Sequence, residues 1–264
     1  YRDLAFMGFW EVLKNLRTIV RNLRFCRQDI LDFKPDAVVL IDYPGFNLRI
    51  AKWAKKQGIR VFYYISPQLW AWHSSRVHAV KRDVDKMLVI LPFEVDFYKK
   101  YGLEVEYVGH PLLDALESAG VGQWAEGDAA ERTIALLPGS RQQEVGRILP
   151  VMLSVMPYFP AYRFVIAGAS SLPAEFFEPF LKDYPDVQVV RGDTYGMLRT
   201  ARAALVKSGT STLETALIGT PQVVCYAGNP VSFAIAKRVV NVPYISLVNL
   251  ILNRPMVREL IQAD

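Results

Sequence analysis

The sequence predicts an α/β protein with two parallel-sheet domains in tandem. From Asp36 onward, short apolar runs alternate with segments whose apolar residues recur at helical spacing, which is typical of βαβ units. The alternation stops once, at residues 119–132, where Gly and Ala occur without a periodic apolar face, and then resumes. We therefore expect two Rossmann-like domains, at residues 1–120 and 133–264, whose sheets face a central cleft and bind ligands at the carboxyl ends of their strands.

The composition is compatible with several ligand classes. Of the 264 residues, 52% are hydrophobic, which is enough for two cores, and no run of eighteen apolar residues predicts a membrane span. The two cysteines have no short spacing, which argues against a disulfide framework or a zinc site and favours a reducing cytoplasm. The net charge of +5 favours an acidic partner, which nucleic acid, anionic lipid and phosphorylated metabolites would all satisfy.

The amino-terminal segment differs from the βαβ pattern. Its apolar residues, from Phe9 to Leu23, follow a period near 3.6, and a basic stripe runs beside them through Arg17, Arg21 and Arg24. This pattern fits either a surface helix with a solvated charged face or a helix lying at a membrane interface. The residues that would face the membrane are Phe9, Trp10, Leu13, Leu16, Arg17 and Val20.

Nine strands are expected in chain order. In the first domain they lie at residues 36–42, 59–66, 85–92 and 105–111, with helices at 47–58 and from Leu112 onward. In the second domain they lie at 133–139, 163–168, 187–190, 203–209 and 221–228, with helices after Arg141 and at 211–219. The chain ends in a segment patterned like a helix, and it begins without an initiator Met or signal peptide. We expect it to be part of a longer protein.

The stretch "VKSGTSTLETALIGTP" predicts a phosphate site. A strand ends at Ser208 and Gly209, and Thr210 and Ser211 then open a helix, so that backbone N–H groups, hydroxyls and the positive helix end converge. Glu214, one turn further on, is placed to accept both ribose hydroxyls of a nucleotide. The same pattern also fits an ordinary helix cap followed by a first-turn Glu.

The stretch "ALLPGSRQQEV" places a guanidinium at a second strand end. Arg141 follows the turn Pro138-Gly139-Ser140, where it can hold a diphosphate through two parallel hydrogen bonds. Glu144, three residues later, is either part of that site or a simple helix-surface partner of Arg141.

Two candidate catalytic bases also end strands. Asp42, in "VLIDYPGFN", follows a buried strand, where an ionised carboxylate is costly unless it faces a cleft. His110, in "YVGHP", is the other candidate, and a hydrogen-bonded packing role fits it as well. Asn47 either caps the following helix or contacts a ligand. The pair Asp83 and Asp85 has the D-x-D spacing of some metal-dependent sugar transferases, but it precedes a strand, so no metal is expected.

These stretches together resemble the lipid-A-disaccharide synthases, which are two-domain glycosyltransferases of the GT-B type that act at the bacterial inner membrane. The matching segments are "MGFWEVL", "KPDAVVLIDYPGFN", "YYISPQLWAWHSSR", "LPFE", "VGHPLLD", "ALLPGSR", "SGTSTLE" and "AKRVV". Several specific blocks in one order make this match far more specific than a lone glycine motif.

The resemblance implies an inverting transfer of 2,3-diacylglucosamine from its UDP derivative to 2,3-diacylglucosamine 1-phosphate. The products are the β-1,6-linked disaccharide and UDP, and no cofactor is implied. The enzyme would lie in the cytoplasm, peripherally on the inner membrane, which favours the interfacial interpretation of the first helix. Asp42, which matches the acid of the family's I-D-x-P-x-F-N block, would take the proton from the acceptor's 6-hydroxyl.

The resemblance also implies a set of substrate-binding residues. Trp70 and Trp72 would line an acyl or acceptor channel or touch the bilayer, while His73 and Arg76 would meet the acceptor phosphate. The complete predicted set is Asn47, Ser66, Trp70, Trp72, Arg76, Arg141, Glu144, Ser208, Gly209, Thr210, Ser211, Glu214 and Asn229.

Two departures and two alternatives accompany this prediction. Gly45 stands where many relatives have a second Asp, and Val248 stands where a Pro is common. The first alternative is another GT-B enzyme of UDP-sugars, such as a peptidoglycan transferase or a UDP-N-acetylglucosamine 2-epimerase, for which the basic helix and the "SPQLWAW" block would be unexplained. The second is a nucleic-acid-binding module, which only the net charge favours, since Lys and Arg are scattered over both domains.

Overall fold

A computed structural model describes residues 16–72, 74–120, 132–228 and 242–262, together with Phe233, Arg238 and Val240. The chain divides into two compact units, Tyr1–His110 and Pro111–Asp264. The predicted boundary segment lies largely outside the described residues, so its position stays a prediction. Within the described residues, no helix has the length and apolarity needed to cross a membrane.

The first unit contains a four-stranded parallel sheet in the order β1-β2-β3-β4. Its strands are β1 (Ala37–Ile41), β2 (Arg60–Tyr64), β3 (Lys86–Val89) and β4 (Glu106–Tyr107). Its helices are α1 (Leu16–Phe33), α2 (Pro44–Lys56), α3 (Leu69–Trp72), α4 (Val77–Asp83) and α5 (Phe93–Lys99), with a 3-10 turn at Ser74–Arg76. The four strands predicted for the first domain are confirmed.

Helices α1 and α2 pack on the core of the first unit through their apolar faces. Ile50 and Ala54 of α2 are fully buried, one turn apart. In α1, Leu23 is buried and Ile19 packs beside it, four residues away. Ile19 and Leu23 therefore face the core of the first unit, where their apolar surface is removed from water, whereas Val20 is exposed. Helix α2 begins at Pro44, earlier than expected, since the proline ring favours the first helical position.

The second unit contains a six-stranded parallel sheet in the order β10-β9-β8-β5-β6-β7. Its strands are β5 (Thr133–Leu137), β6 (Arg163–Gly168), β7 (Gln188–Arg191), β8 (Ala203–Lys207), β9 (Gln222–Tyr226) and β10 (Arg258–Ile261). Its helices are α6 (Pro111–Ser118), α7 (Gln142–Leu153), α8 (Glu178–Leu181), α9 (Thr194–Thr200), α10 (Thr210–Ile218) and α11 (Leu247–Leu252), with 3-10 turns at Met156–Tyr158 and Ala174–Phe176.

The strand order of the second unit creates a topological switch point. From β5 the chain builds outward through β6 and β7, and it then returns to pair β8 with the other edge of β5. Leu137, the last residue of β5, lies beside Val206 of β8. The segments that follow these two strands are therefore neighbours, and ligands of parallel α/β sheets bind at such a place.

The expectation of a helix at the end of the chain is wrong for residues 258–261. These residues form β10, which pairs in parallel with β9, Arg258 opposite Val223 and Ile261 opposite Tyr226. Glu259 of this strand accepts hydrogen bonds from the backbone N–H groups of Ile245 and Ser246. Pairing with the open edge of β9 outweighs local helical patterning, because it satisfies backbone groups of both strands.

Candidate functional site

A cavity of about 910 Å³ lies in the second unit, at the carboxyl ends of β5, β6, β7 and β8. Its wall combines residues that follow each of these strands. They include Gly139, Ser140, Arg141 and Glu144 after β5, Ser170 and Ser171 after β6, Asp193, Thr194 and Tyr195 after β7, and Lys207, Ser208, Gly209, Thr210, Ser211 and Glu214 at the β8–α10 connection. The switch point thus brings together seven of the predicted residues and several that were not predicted.

The amino-terminal end of α10 opens into this cavity. Gly209 precedes the helix, and Thr210 and Ser211 form its first residues. Backbone N–H groups in the first turn of a helix have no intrahelical partner, and the helix dipole adds a partial positive charge there. This end of the cavity is consequently suited to an anion such as a phosphate.

Ser208 fixes the turn before α10. Its hydroxyl donates to the carbonyl of Ile245 at 2.9 Å, and its backbone N–H donates to the carbonyl of Cys225, also at 2.9 Å. Both donors of this residue are therefore used within the protein. The prediction that Ser208 binds substrate stays untested, and the structure gives it a bracing role between β9 and the segment before α11.

Two cations meet one carboxylate at the cavity wall. Glu144 Oε1 accepts from Arg141 Nη1 and from Lys207 Nζ, each at 3.1 Å. Arg141 is 53% exposed, whereas Lys207 and Glu144 are each 23% exposed. The pairing of Glu144 with Arg141, one of its two interpretations, is present, and Lys207 is an additional partner contributed by β8. The prediction that Glu144 belongs to a substrate site stays untested.

Glu214 is oriented by a tyrosine from a different element. The Tyr195 hydroxyl, at the start of α9, donates to Glu214 Oε1 at 3.2 Å. Burial, followed by the charge of Glu214, raises the pKa of Tyr195, so the hydroxyl keeps its proton. Asp193 caps the same helix by accepting from the N–H of Gly196 at 2.9 Å. The carboxylate of Glu214 is therefore held at the cavity wall.

In the first unit, Asp42 is exposed and stands on an unusual turn. Asp42 and Tyr43 have φ values of 46° and 45°, in the left-handed region that non-glycine residues rarely adopt. The side-chain amide of Asn47 donates to the carbonyls of Ile41, at 2.9 Å, and Asp42, at 2.7 Å. The Tyr63 hydroxyl also donates to the Asp42 carbonyl, at 2.6 Å. Unusual backbone held this firmly is frequent at functional sites.

Ser66 and Trp70 belong to a polar network inside the first unit. The hydroxyls of Ser66 and Tyr98 lie 2.7 Å apart, and Trp70 Nε1 donates to Glu94 Oε1 at 3.2 Å. Glu94 is only 1% exposed, and its other oxygen accepts from the N–H of Leu91 at 3.0 Å. In this structure Ser66 and Trp70 thus connect the segment after β2 to α5, Trp70 at the first turn of the helix and Ser66 near its end.

Glu94 predicts a measurable pH dependence of stability. Burial raises its pKa above the ordinary 4.5, and the hydrogen bonds from Leu91 and Trp70 offset this only in part. Because the folded-state pKa is the higher one, the neutral carboxyl contributes stability below pH 4.5, and this is lost as the pH rises through the folded-state value. We expect the free energy of unfolding of the wild type, relative to that of Glu94→Gln, to fall in denaturant titrations as the pH rises above 4.5. Parallel pH profiles for the two proteins would contradict this.

The remaining predicted residues of the first unit are Trp72, Arg76 and His110. Trp72 is 56% exposed and Arg76 is exposed. Burial lowers the pKa of His110, which favours the neutral imidazole that a base requires. His73 and Asn229 lie outside the described residues.

The predicted membrane-facing residues are described only in part. Phe9, Trp10, Leu13 and the side chain of Leu16 lie outside the described residues. Arg17 is exposed and Val20 is 38% exposed. These two side chains share the solvent-facing side of α1 with Arg21 and Arg24, and the four together line a shallow groove.

The Asp83 and Asp85 pair has protein partners. Arg82 donates to both carboxylate oxygens of Asp83, at 2.8 and 2.6 Å, and Lys55 pairs with Asp85. Among the residues that the structure describes, no group of three His, Cys, Asp or Glu side chains is placed to hold a metal ion.

Sequence reasoning missed Lys207, Asp193, Tyr195 and the serines after β6. All of them follow, or end, a strand that was predicted correctly. Their polar side chains at the strand ends in "RGDTYG", "IAGASS" and "LVKSG" could therefore have indicated that they border the site. Only the strand order shows that these ends surround one cavity, because parallel neighbours need not be consecutive in the chain.

Comparison with known proteins identifies relatives along the whole chain. The family model described as lipid-A-disaccharide synthetase matches residues 1–264. A curated lipid-A-disaccharide synthase from Trichlorobacter lovleyi is 42% identical over 272 residues, covering 99% of this chain and 71% of the relative.

Solved structures share the fold at low identity. A UDP-GlcNAc 2-epimerase from Methanocaldococcus jannaschii, in complex with UDP-GlcNAc and UDP, superimposes with a TM-score of 0.62 at 13% identity, covering 98% of this chain and 72% of that one. The glycotransferase of kitacinnamycin gives a TM-score of 0.58 at 13% identity, covering 96% of this chain and 70% of that one. At such identities the likeness shows the fold alone, which is of the GT-B type.

Proposed function

Since the chain belongs to the lipid-A-disaccharide synthetase family, we propose that it catalyses glycosyl transfer from UDP-2,3-diacylglucosamine to 2,3-diacylglucosamine 1-phosphate. The 6-hydroxyl of the acceptor attacks the anomeric carbon of the donor, the bond to the diphosphate breaks, and UDP leaves. The products are the β-1,6-linked disaccharide 1-phosphate and UDP.

The observation that carries this proposal is the cavity at the switch point of the second unit. It combines a helix amino-terminal end, two cations and an oriented carboxylate. These are the groups that the diphosphate and the ribose of a UDP-sugar need. In the proposed mode, Gly209, Thr210, Ser211 and Arg141 bind the diphosphate. They also stabilise the negative charge that develops on the leaving group.

Asp42 is the proposed general base. Its carboxylate is exposed at the end of β1, and the bonds from Asn47 and Tyr63 hold its backbone. Proton removal by a positioned carboxylate makes the acceptor hydroxyl a better nucleophile as it attacks. His110 is the second candidate for this role.

The decisive experiment is UDP release by the purified protein. The donor is supplied with and without the acylated glucosamine 1-phosphate, and UDP is measured by a coupled assay. Release that depends on the acceptor supports the transfer. Release without the acceptor, or none under either condition, would reject it, and the first result would point to a hydrolase or an epimerase-like activity.

We also propose that the solvent-facing side of α1 contacts an anionic membrane surface. Arg17, Arg21 and Arg24 are exposed along this face, and Phe25 beside them is 72% exposed. A basic row with apolar neighbours suits the headgroup layer, where anionic lipids attract Arg and apolar side chains bury area. Acylated substrates reside in that layer, so such contact would bring the enzyme to them.

Charge removal on α1 should weaken membrane binding. Each basic residue near an anionic surface contributes about 1 kcal/mol, so Arg17→Gln combined with Arg21→Gln should lower the partition coefficient roughly 30-fold. The measurement is sedimentation with phosphatidylglycerol-rich vesicles at low salt. A variant with Arg163→Gln and Arg202→Gln, two exposed residues of the second unit, is the matched control. Equal losses in both double variants would contradict a specific role for α1.

A further inference from the structure

Lys207 is a cation of this site to which the proposed binding mode assigns no contact with the ligand. It ends β8, directly before the turn that opens α10, and its side chain lines the cavity. Only 23% of the side chain is exposed. A partly buried lysine loses hydration and side-chain freedom, so its position calls for a compensating partner.

The partner is a carboxylate that is shared with a second cation. Glu144 Oε1 accepts from Lys207 Nζ and from Arg141 Nη1, so both cationic groups converge on one oxygen. The cluster of two cations and one carboxylate has a net positive charge. It lies on the same cavity as the amino-terminal end of α10, which adds a further partial positive charge. This part of the cavity is thus positively charged, which suits an anionic ligand.

The turn after β5 allows this close approach. Gly139 has a φ of +106°, which side-chain-bearing residues rarely adopt. A Cβ at this position would lie 3.1 Å from Glu144 Oε2 and 3.6 Å from Lys207 Cδ. A glycine here therefore leaves room for the carboxylate of Glu144 and the aliphatic stem of Lys207. The glycine of "LPGSR" thus permits the contact between these two side chains.

We infer that Lys207 is a direct ligand of the donor's diphosphate, and that Glu144 is a positioning residue which holds Lys207 and Arg141 over the phosphate site. This inference rests on the proposed function, because it assumes a UDP-linked donor in the cavity. An ammonium acts as a compact point charge with three donors, whereas the guanidinium of Arg141 supplies a flat pair of donors. The two cations can therefore bind different phosphate oxygens. Glu144, itself an anion, binds the cations rather than the ligand.

The test compares a nucleoside with its diphosphate, so that the two ligands differ only in the phosphates. Affinities for uridine and UDP are measured by calorimetry on wild type, Lys207→Met, Lys207→Arg and the control Lys182→Met, whose lysine is exposed at the end of α8. Lys207→Met should bind UDP roughly tenfold more weakly than wild type, since it loses one charge-assisted bond, and should bind uridine equally well. Lys207→Arg keeps the charge and should retain most of the affinity for UDP, while Lys182→Met should match wild type.

Each other outcome has a defined meaning. If Lys207→Met binds UDP as tightly as wild type does, the inference is overturned and the proposed function stands. If Lys207→Met loses affinity for uridine and UDP by the same factor, Lys207 serves only the architecture of the cavity, and the inference is again overturned. If wild type does not bind UDP at all, the donor site of the proposed function fails, and the role of Lys207 fails with it.

Discussion

Replacing Asp42 with Asn is expected to lower kcat for disaccharide formation by roughly 10²- to 10⁴-fold, which is the usual contribution of a positioned general base. The affinity for UDP should change little, because the proposed nucleotide site belongs to the second unit. The measurements are acceptor-dependent UDP release and calorimetric UDP binding on the same preparations.

Asn at position 42 removes the carboxylate and preserves the backbone conformation. Asp42 has a φ of 46°, and Asn is among the residues that tolerate the left-handed region best. The carbonyl of residue 42 would still accept from Asn47 and Tyr63, because those bonds involve only the backbone of that residue. Asp42→Asn should therefore unfold at nearly the wild-type temperature, and its loss of activity should report the missing base.

His110 provides the comparison. If Asp42→Asn retains wild-type kcat, the base lies elsewhere, and His110→Gln is the next variant to measure. Burial lowers the pKa of His110, so a rate that depends on its neutral form should fall only at a pH below the ordinary value of 6.5. The effects of Asp42→Asn and His110→Gln on kcat thus separate the two candidates.

Replacing Glu214 with Ala is expected to weaken UDP binding by at least roughly 100-fold. A carboxylate that accepts both ribose hydroxyls makes two charge-assisted hydrogen bonds, each worth about 1.5 to 3 kcal/mol. Tyr195 already orients Glu214 by donating to Oε1 at 3.2 Å, so little reorganisation is needed when the ribose binds. Calorimetry with UDP measures the loss directly, and Glu175→Gln, at an exposed position of the same unit, is the control.

A second nucleotide makes the role of Glu214 specific. UDP and 2′,3′-dideoxy-UDP should differ strongly in affinity for the wild type and only slightly for Glu214→Ala, because the variant has no acceptor for either hydroxyl. If the variant loses affinity for both nucleotides to the same extent, Glu214 supports the cavity wall and does not bind the ribose. The comparison thus separates a loss of recognition from a loss of architecture.

Local patterns in the sequence were sufficient for most of the fold. The runs "AVVLI" and "RFVIAG" are strands because apolar β-branched residues suit a sheet buried on its faces, and "STLETALIG" is a helix that ends at a glycine with φ of +90°. The turns "LPGSR" and "SGTSTLE" were predicted to border a site, also from a local pattern. Each carries its polar residues where a strand ends, which is a property of neighbouring positions in the chain.

Contacts between distant segments decided the rest. "RELI" became β10 because the edge of β9 was open to it, and Trp70 acquired a partner in Glu94, twenty-four residues away. Lys207 reached Glu144 across sixty-three positions, because β8 lies beside β5 in the sheet. By itself, the sequence determined most of the strands and helices and predicted which turns border a site, since those depend on local periodicity and backbone preference. Only the tertiary structure decided which side chains share a cavity and which serve as braces, because strand order and burial arise from packing between distant parts of the chain.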